Sequence, residues 1–445
     1  MMGIGPRPPR DLRKRPLTTA LLLLVSSAAG AIDVDYDIGV AAKRSDNINL
    51  SENNPISDTV ISPRLFFLAE HAGSAVELIA QGNAEYRHYT SDSFDDEIRG
   101  RFVGELNWMV LPERLDIVVQ DYLSLEPVDE LVEFSPANQQ QVNVFVAGPT
   151  LQARFGTTTR GLLDLRYIDT YAEEEDEFDS GRVTVAARLA RELSASHSVS
   201  ANIETSDVDF DRNEEAADFR RYDGYINTTM QRQHVDLTVD LGYSRVEFED
   251  NVTLGTRDTD QSNPLARATV DWRMTPRSML GVTLRYQFSD ATQSLMTPID
   301  FDRRDFSDFR DANTLSQPNV FQEKMLRLRY RYTGDRTSVQ VAPYYRSLDY
   351  LEDIPENQRR DGLVLSMEHK LRPRLTLAAY GARENREYLD LDRKDKNLFL
   401  SVSLANRFTR HWTGQVDLQR RERDSTAADE SYDENAVVVS FSYRR

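Results

Sequence analysis

The sequence predicts an all-β protein, a single transmembrane up-and-down antiparallel β-barrel of about 18–20 strands. Three observations carry this reading. Apolar and polar residues alternate at period two along many stretches, and the connections between those stretches are alternately short and long. No apolar run after the N-terminal segment exceeds Leu65-Phe66-Phe67-Leu68-Ala69, far short of the ~20 residues a spanning helix needs.

At the N-terminus, residues 1–31 have the layout of a secretory signal peptide. Arg7, Arg10, Arg13, Lys14 and Arg15 make a basic region, Leu17 to Val25 a short apolar one, and Ala29-Gly30-Ala31 a small-residue cleavage site. Residues 32–445 are then the barrel, exported and cleaved near Ala31.

The strands follow in order. In 97-EIRGRFVGELNWMV-110, Ile98, Phe102, Leu106 and Trp108 share a face opposite Arg99, Arg101 and Glu105. In 234-HVDLTVDLGY-243 the apolar face runs from Val235 to Tyr243, opposite His234, Asp236, Thr238 and Asp240. Leu280 to Phe288 alternate with Thr283, Arg285 and Gln287, and Leu326, Leu328, Tyr330 and Tyr332 with Arg327, Arg329 and Arg331. Period two is a strand with one apolar and one polar face.

Nine connections are tight: 71-HAGS-74, 112-PER-114, 156-GTTTR-160, 194-SASH-197, 231-QRQH-234, 275-TPRS-278, 333-TGDRT-337, 371-LRPR-374 and 409-TRHW-412. The others are long and acidic, among them 44–57, 173–179, 211–217, 249–263, 350–360 and 424–431, with the longest from Asp290 to Asn319. Outer-membrane barrels sort their connections this way, with short periplasmic turns and long external loops. A soluble β-sandwich has no reason to do so. Trp108, Trp272 and Trp412 all map to the short-turn rim, as an interfacial girdle requires.

Composition narrows function further. The chain has 445 residues, a net charge of −19 and no cysteine. The acidic balance argues against a nucleic-acid partner, which needs basic surface. Thiolate metal sites and cysteine nucleophiles are excluded.

No enzyme site emerges, and no cofactor is expected. Of six histidines only His88 lies near the outer end of a strand, beside Ser91 and Ser93, and neither a nucleophile elbow nor a His-Glu-x-x-His pair is present. Asp207, Asp209, Asp211 and Asn213 have calcium-loop spacing, but Arg212 stands where glycine is needed and Asp218 where a bidentate glutamate is. The same spacing arises where a polar strand face runs into an acidic loop, so no metal site is expected.

Two features suit handling of polar solutes. Arg99, Arg101, Glu105, Asp236, Asp240, Arg285, Arg327, Arg329 and Arg331 are expected to line a wet lumen, the arginines pairing with Glu105, Asp236 and Asp240 and leaving a residual field. In the longest loop, 301-FDRRDFSDFRDAN-313 sets Phe301, Phe306 and Phe309 among Arg303, Arg310 and aspartates. Ring faces beside polar groups suit sugar contact, and the segment is alternatively an inward-folded constriction.

The stretch Ser45-Asp46-Asn47-Ile48-Asn49-Leu50 followed by 59-TVISPRLFF-67 resembles the opening of the PEP-CTERM-system-associated outer-membrane β-barrel family. That family lies within a wider group of β-barrel porins found with exopolysaccharide biosynthesis and export genes. The resemblance covers about the first ninety residues specifically. It implies an outer-membrane location, lipid and lipopolysaccharide around the barrel, insertion by the barrel-assembly machinery, and exopolysaccharide with its export machinery as partners. It supplies no catalytic residues. The C-terminus departs from the general barrel pattern, since the terminal aromatic Tyr443 is followed by Arg444-Arg445. The function expected is a porin-like channel or assembly component for exopolysaccharide. The alternative is a structural or adhesive barrel whose external loops bind surface glycan without transport.

Overall fold

The computed structural model describes residues 32–174, 178–211, 217–249, 260–296, 318–352 and 354–445. Twenty strands of 12 to 15 residues run antiparallel, each pairing with its neighbours in sequence. They are β1 (Asp33–Ser45), β2 (Asp58–Ala72), β3 (Val76–Tyr89), β4 (Glu97–Leu111), β5 (Leu115–Glu126), β6 (Gln140–Arg154), β7 (Thr159–Ala172), β8 (Ser180–Ser194), β9 (His197–Phe210) and β10 (Phe219–Gln231). The second half comprises β11 (Val235–Phe248), β12 (Gln261–Thr275), β13 (Ser278–Ser289), β14 (Phe321–Thr333), β15 (Thr337–Tyr350), β16 (Gln358–Arg372), β17 (Leu375–Tyr388), β18 (Arg393–Arg407), β19 (Trp412–Ser425) and β20 (Tyr432–Arg444). One short helix, α1 (Ala291–Leu295), follows β13.

The ring closes where β1 pairs with β20, from Asp37 opposite Arg444 to Ser45 opposite Ala436. Closure removes the sheet edges, whose unpaired backbone groups lipid cannot satisfy. The upper end of the expected strand number is the one found. All nine tight turns fall between an even-numbered strand and the next, and every longer connection falls at the other end.

Alternation along each strand sorts side chains between lipid and lumen. Ile98, Ile203 and Leu241 are 70%, 66% and 59% exposed on the outside. In a membrane barrel such exposure is contact with acyl chains rather than water. Trp108, Trp272 and Trp412 are outward near the short-turn rim, and the Trp412 ring stacks on Phe441 at 4.8 Å. Eight to ten residues further along the strands, Tyr86, Tyr167, Tyr243 and Tyr345 form a second outward aromatic belt. At ~3.3 Å per residue and a tilt near 40°, the two belts stand about 20–25 Å apart, the height of an apolar band. The chain is an outer-membrane-type barrel.

The segment that carries the family resemblance sits at the closing seam. The Ser45 hydroxyl donates to Glu434 at 2.6 Å, and the Asn47 amide donates to the carbonyls of Ser51 and Asp433, each at 2.9 Å. Val437, Val439 and Phe441 face outward on β20 as its alternation predicts. The unusual terminal Arg444 reaches Asp35 at 3.5 Å, one further tie between first and last strands.

Candidate transport lumen and its outer constriction

All nine residues expected to face the lumen lie on the inward parity of their strands, opposite the apolar positions that face lipid. Their partners differ from those expected. Asp240 accepts from Arg267 at 2.8 Å, Asp236 pairs with Arg273 at 2.6 Å, and Glu105 accepts from Gln120 at 3.0 Å. Arg329 lies 3.2 Å from Asp271, Arg285 4.0 Å from Glu323, and Arg331 donates to Gln340 at 2.8 Å. Arg327 stands over the Tyr344 ring at 5.8 Å. Arg99 pairs with Glu97 and Glu173, each at 2.6 Å, while Arg101 lies two residues further down the β4 wall.

The reason is geometric. An arginine reaches one or two strands sideways, and Glu105 on β4 lies ten strands from β14, across the tube. The partners Arg267, Asp271 and Arg273 were legible as the period-two series 267–273 on β12, although the preceding acidic run draws that stretch towards a loop reading.

Towards the short-turn end the charges are sorted by wall. Asp33, Asp35, Asp37, Glu70, Glu77 and Glu105 face inward from β1–β4, and Arg285, Arg327, Arg329 and Arg331 from β13 and β14. In a ring of twenty these arcs are diametrically opposed. A cavity of about 890 Å³ at this rim is bordered by Glu70, Glu77, Ile79, Glu105 and Asn107.

Towards the long-loop end the lumen is filled. The loop between β5 and β6 is folded on itself by Asn138, which accepts from the Asp129 amide and donates to the Asp129 carbonyl, both at 2.8 Å. From there Glu130 reaches Arg360 on β16 and Arg386 on β17, the latter at 2.9 Å. The Tyr388 hydroxyl donates to the Glu130 carbonyl at 3.3 Å. Those strands stand opposite β5 and β6, so the loop is a strap across the tube. At its near end Gln139 accepts from Arg87 at 2.9 Å and, through its carbonyl, from Arg99 at 3.2 Å.

The second element filling this end is α1. Asp290 caps the helix by accepting from the Gln293 amide at 3.0 Å, and it pairs with the buried Arg182 of β8 at 2.9 Å. Ala291 and Leu295 pack against Val142, Val144, Val146 and Ile168, inside a cluster that also takes in Tyr122, Phe178, Phe321, Leu348 and Tyr350. These valines occupy inward positions where a water-filled pore would carry polar groups. Burying them under the helix is the hydrophobic effect acting inside the tube, at about 1.5–3 kcal/mol per fully buried large side chain.

The residues Phe301, Arg303, Phe306, Phe309 and Arg310, expected to contact sugar or to constrict the pore, lie outside the described residues. The described inward turn of helix is α1, which precedes them in the same connection. Sequence reading passed over the 127–139 strap because its acidic composition matches that of a solvated loop. The one local signal was the Val142-Val144-Val146 series, apolar on the wrong parity for a wet lumen.

No nucleophile–base pair forms around His88. Its Nδ1 lies 2.9 Å from Asp96, whereas the Ser93 hydroxyl donates to Asp58 at 2.5 Å. Among the described residues no group of three His, Cys, Asp or Glu side chains is placed to hold a metal ion. Asp207 and Asp209 continue the outward alternation of β9, with Asp207 paired to Arg220 at 2.8 Å, while Arg212 and Asn213 lie outside the described residues.

Residues 360–445, nearly all of β16 to β20, match the family described as "Putative beta-barrel porin 2". No curated protein matches the sequence. Solved structures with a similar course include OmpTdeltaL8, a loop L8 deletion mutant of OmpT, an outer membrane protein of Vibrio cholerae, at 11% identity and a TM-score of 0.35, covering 94% of this chain and 100% of that one. The FrpB iron transporter from Neisseria meningitidis (F5-1 variant) is 8% identical, with a TM-score of 0.47 over 93% of this chain and 83% of the other. The siderophore receptor PirA from Pseudomonas aeruginosa is 12% identical, with a TM-score of 0.43 over 93% and 80%. The family match makes the last five strands similar to those of a porin family.

Proposed function

We propose that this protein is a porin-like channel of the outer membrane, closed at its outer mouth by the 127–139 strap and helix α1 and opened by their displacement. The observation that carries the reading is the contrast between a charged, open short-turn half and a loop-spanned long-loop half of one continuous lumen. The opposed acidic and arginine arcs set a transverse field across the open half, which orients dipolar solutes and biases ion passage. The resemblance of the N-terminal strands extends the proposal to surface polysaccharide, with the channel passing or helping to assemble exopolysaccharide.

The filled mouth also favours a second reading, a structural barrel whose outer loops hold glycan without transport. A strain lacking the protein, complemented with the intact chain or with one lacking residues 129–137, separates the two. The channel reading expects surface polysaccharide to fall in the deletion strain and to return with either chain. Polysaccharide unchanged by the deletion overturns the polysaccharide role, and restoration by the intact chain alone favours the structural reading.

A further inference from the structure

On the lipid face of β16–β18 the outward apolar positions give way to charged ones close to the outer aromatic belt. Reading outward positions towards the long-loop end, β16 presents Leu365, Leu363, Asp361 and Arg359, β17 presents Gly381, Arg383, Asn385 and Glu387, and β18 presents Leu400, Leu398, Lys396 and Lys394. Arg383 is the charge nearest the membrane centre on this face. Its direct neighbours are Leu363 and Leu398, and it is exposed on the outside of the barrel. No carboxylate among the described residues lies within ion-pair distance of it, although Lys394 and Lys396 above it pair with Glu387 at 2.8 Å and Asp424 at 3.2 Å.

An arginine among leucines at the edge of the acyl region is costly unless its guanidinium reaches polar partners. Here the level decides which partners are available. Tyr345, in the outer aromatic belt, pairs with Asp361, in the next row above Leu363 and Arg383. The guanidinium therefore sits where lipid headgroups begin, on the long-loop side, which faces outwards. We infer that Arg383, with Lys396 and Asn385 above it, is a binding site for a phosphate group of a phosphorylated glycolipid of the outer leaflet. The planar guanidinium grips phosphate through two parallel hydrogen bonds, Lys396 exchanges its exposed pairing with Asp424 to add a point charge, and the Asn385 amide, which donates to Asp361 at 2.9 Å, borders the same spot. Below Arg383, Gly381 lies between Leu365 and Leu400 and Ala379 between Met367 and Val402, so the side chains beneath the guanidinium on its own strand are small.

The other side of the barrel supplies the contrast. On β7 and β9 the corresponding outward positions are Asp169, Asp207 and Asp209, of which Asp207 is balanced by Arg220 at 2.8 Å, and the excess of carboxylates disfavours phosphate. The glycolipid is thus expected on one arc only.

The test is native mass spectrometry of the detergent-solubilised full-length barrel titrated with purified lipopolysaccharide, with enzymatically dephosphorylated lipopolysaccharide and with phosphatidylglycerol. Arg383→Gln with Lys396→Gln should weaken lipopolysaccharide binding at least about tenfold, as loss of charge-assisted hydrogen bonds implies. Arg383→Lys should fall between. Arg220→Gln, on the acidic side, should bind as the unaltered protein does. Arg383→Leu keeps the lipid face apolar and serves if the double variant fails to fold. Equal affinity of the unaltered and altered barrels overturns the site. Equal affinity for the dephosphorylated lipid overturns the phosphate chemistry, and tighter binding of phosphatidylglycerol overturns the assignment to the glycolipid.

Discussion

The two halves of the lumen share one wall and differ in how their charges are kept. In the long-loop half, Arg346 and Glu323 pair at 2.8 Å with both side chains almost wholly buried, and Arg360 is fully buried against Glu130. In the short-turn half, Asp236 and Arg273 pair at 2.6 Å with about two fifths of each side chain exposed. Buried pairs demand satisfied geometry, because a charge left alone in low dielectric is expensive. Wet pairs contribute about 0–1 kcal/mol and exchange freely with solvent ions. The same residue types are therefore held rigid above and left open to solvent below.

Both halves rest on the tube itself, and that gives the largest expected effect. Leu284 faces lipid near the middle of the apolar band, and Arg285, its chain neighbour, faces the lumen. Leu284→Arg should block assembly, as arginine near the midplane costs about 2–4 kcal/mol. Arg285→Ala should assemble normally. Heat-modifiable mobility in gel electrophoresis reads both, and equal behaviour would contradict the assignment of faces.

Next in size is the contrast between the halves. Glu130→Ala removes the carboxylate that Arg360 and Arg386 share and should lower stability by about 3–5 kcal/mol, the cost of breaking one side of a buried pair. Asp236→Ala should cost no more than about 1 kcal/mol, as for an exposed pair. Thermal unfolding in detergent measures the two, and similar losses would remove the distinction.

A smaller effect is expected in ion preference. Arg327→Glu with Arg329→Glu reverses part of the arginine arc, and reversal potentials in a salt gradient should move towards cations. An unchanged potential in a conducting barrel would show that the arcs set no field.

The smallest concerns the long-loop rim. Burial pushes the Asp58 carboxyl up, but hydrogen bonds from Ser93, the Thr59 amide, Ser91 and Thr90 outweigh it and hold the group at about 2. A lowered folded-state value stabilises at neutral pH, and the contribution is lost as pH falls from 3.8 towards 2. Hydrogen exchange at Thr90 to Ser93 should stay slow to about pH 4 and rise below it.

Most of the barrel was legible in the sequence because alternation and turn spacing are local signals. Nine tight turns and three rim tryptophans needed no knowledge of distant contacts. The inward parity of Arg327, Arg329 and Arg331 followed from period two alone. Their partners did not, since which aspartate meets Arg329 depends on register between strands 58 residues apart in sequence. The 127–139 strap was illegible for a stronger reason. Glu130 meets Arg360 across 230 residues and the full width of the tube, and nothing near either residue announces it. Aromatics in 301–313 drew attention to the connection between β13 and β14, of which the Asp290-capped helix is the described part.

Single-channel conductance in planar bilayers tests the closure most directly. The intact barrel and a variant lacking residues 129–137 are refolded and measured in the same salt. The intact protein should show small or rare openings, and the shortened one larger and longer ones, because the strap from Asn138 to Arg360 no longer spans the lumen. Equal conductance in the two would contradict closure by the strap.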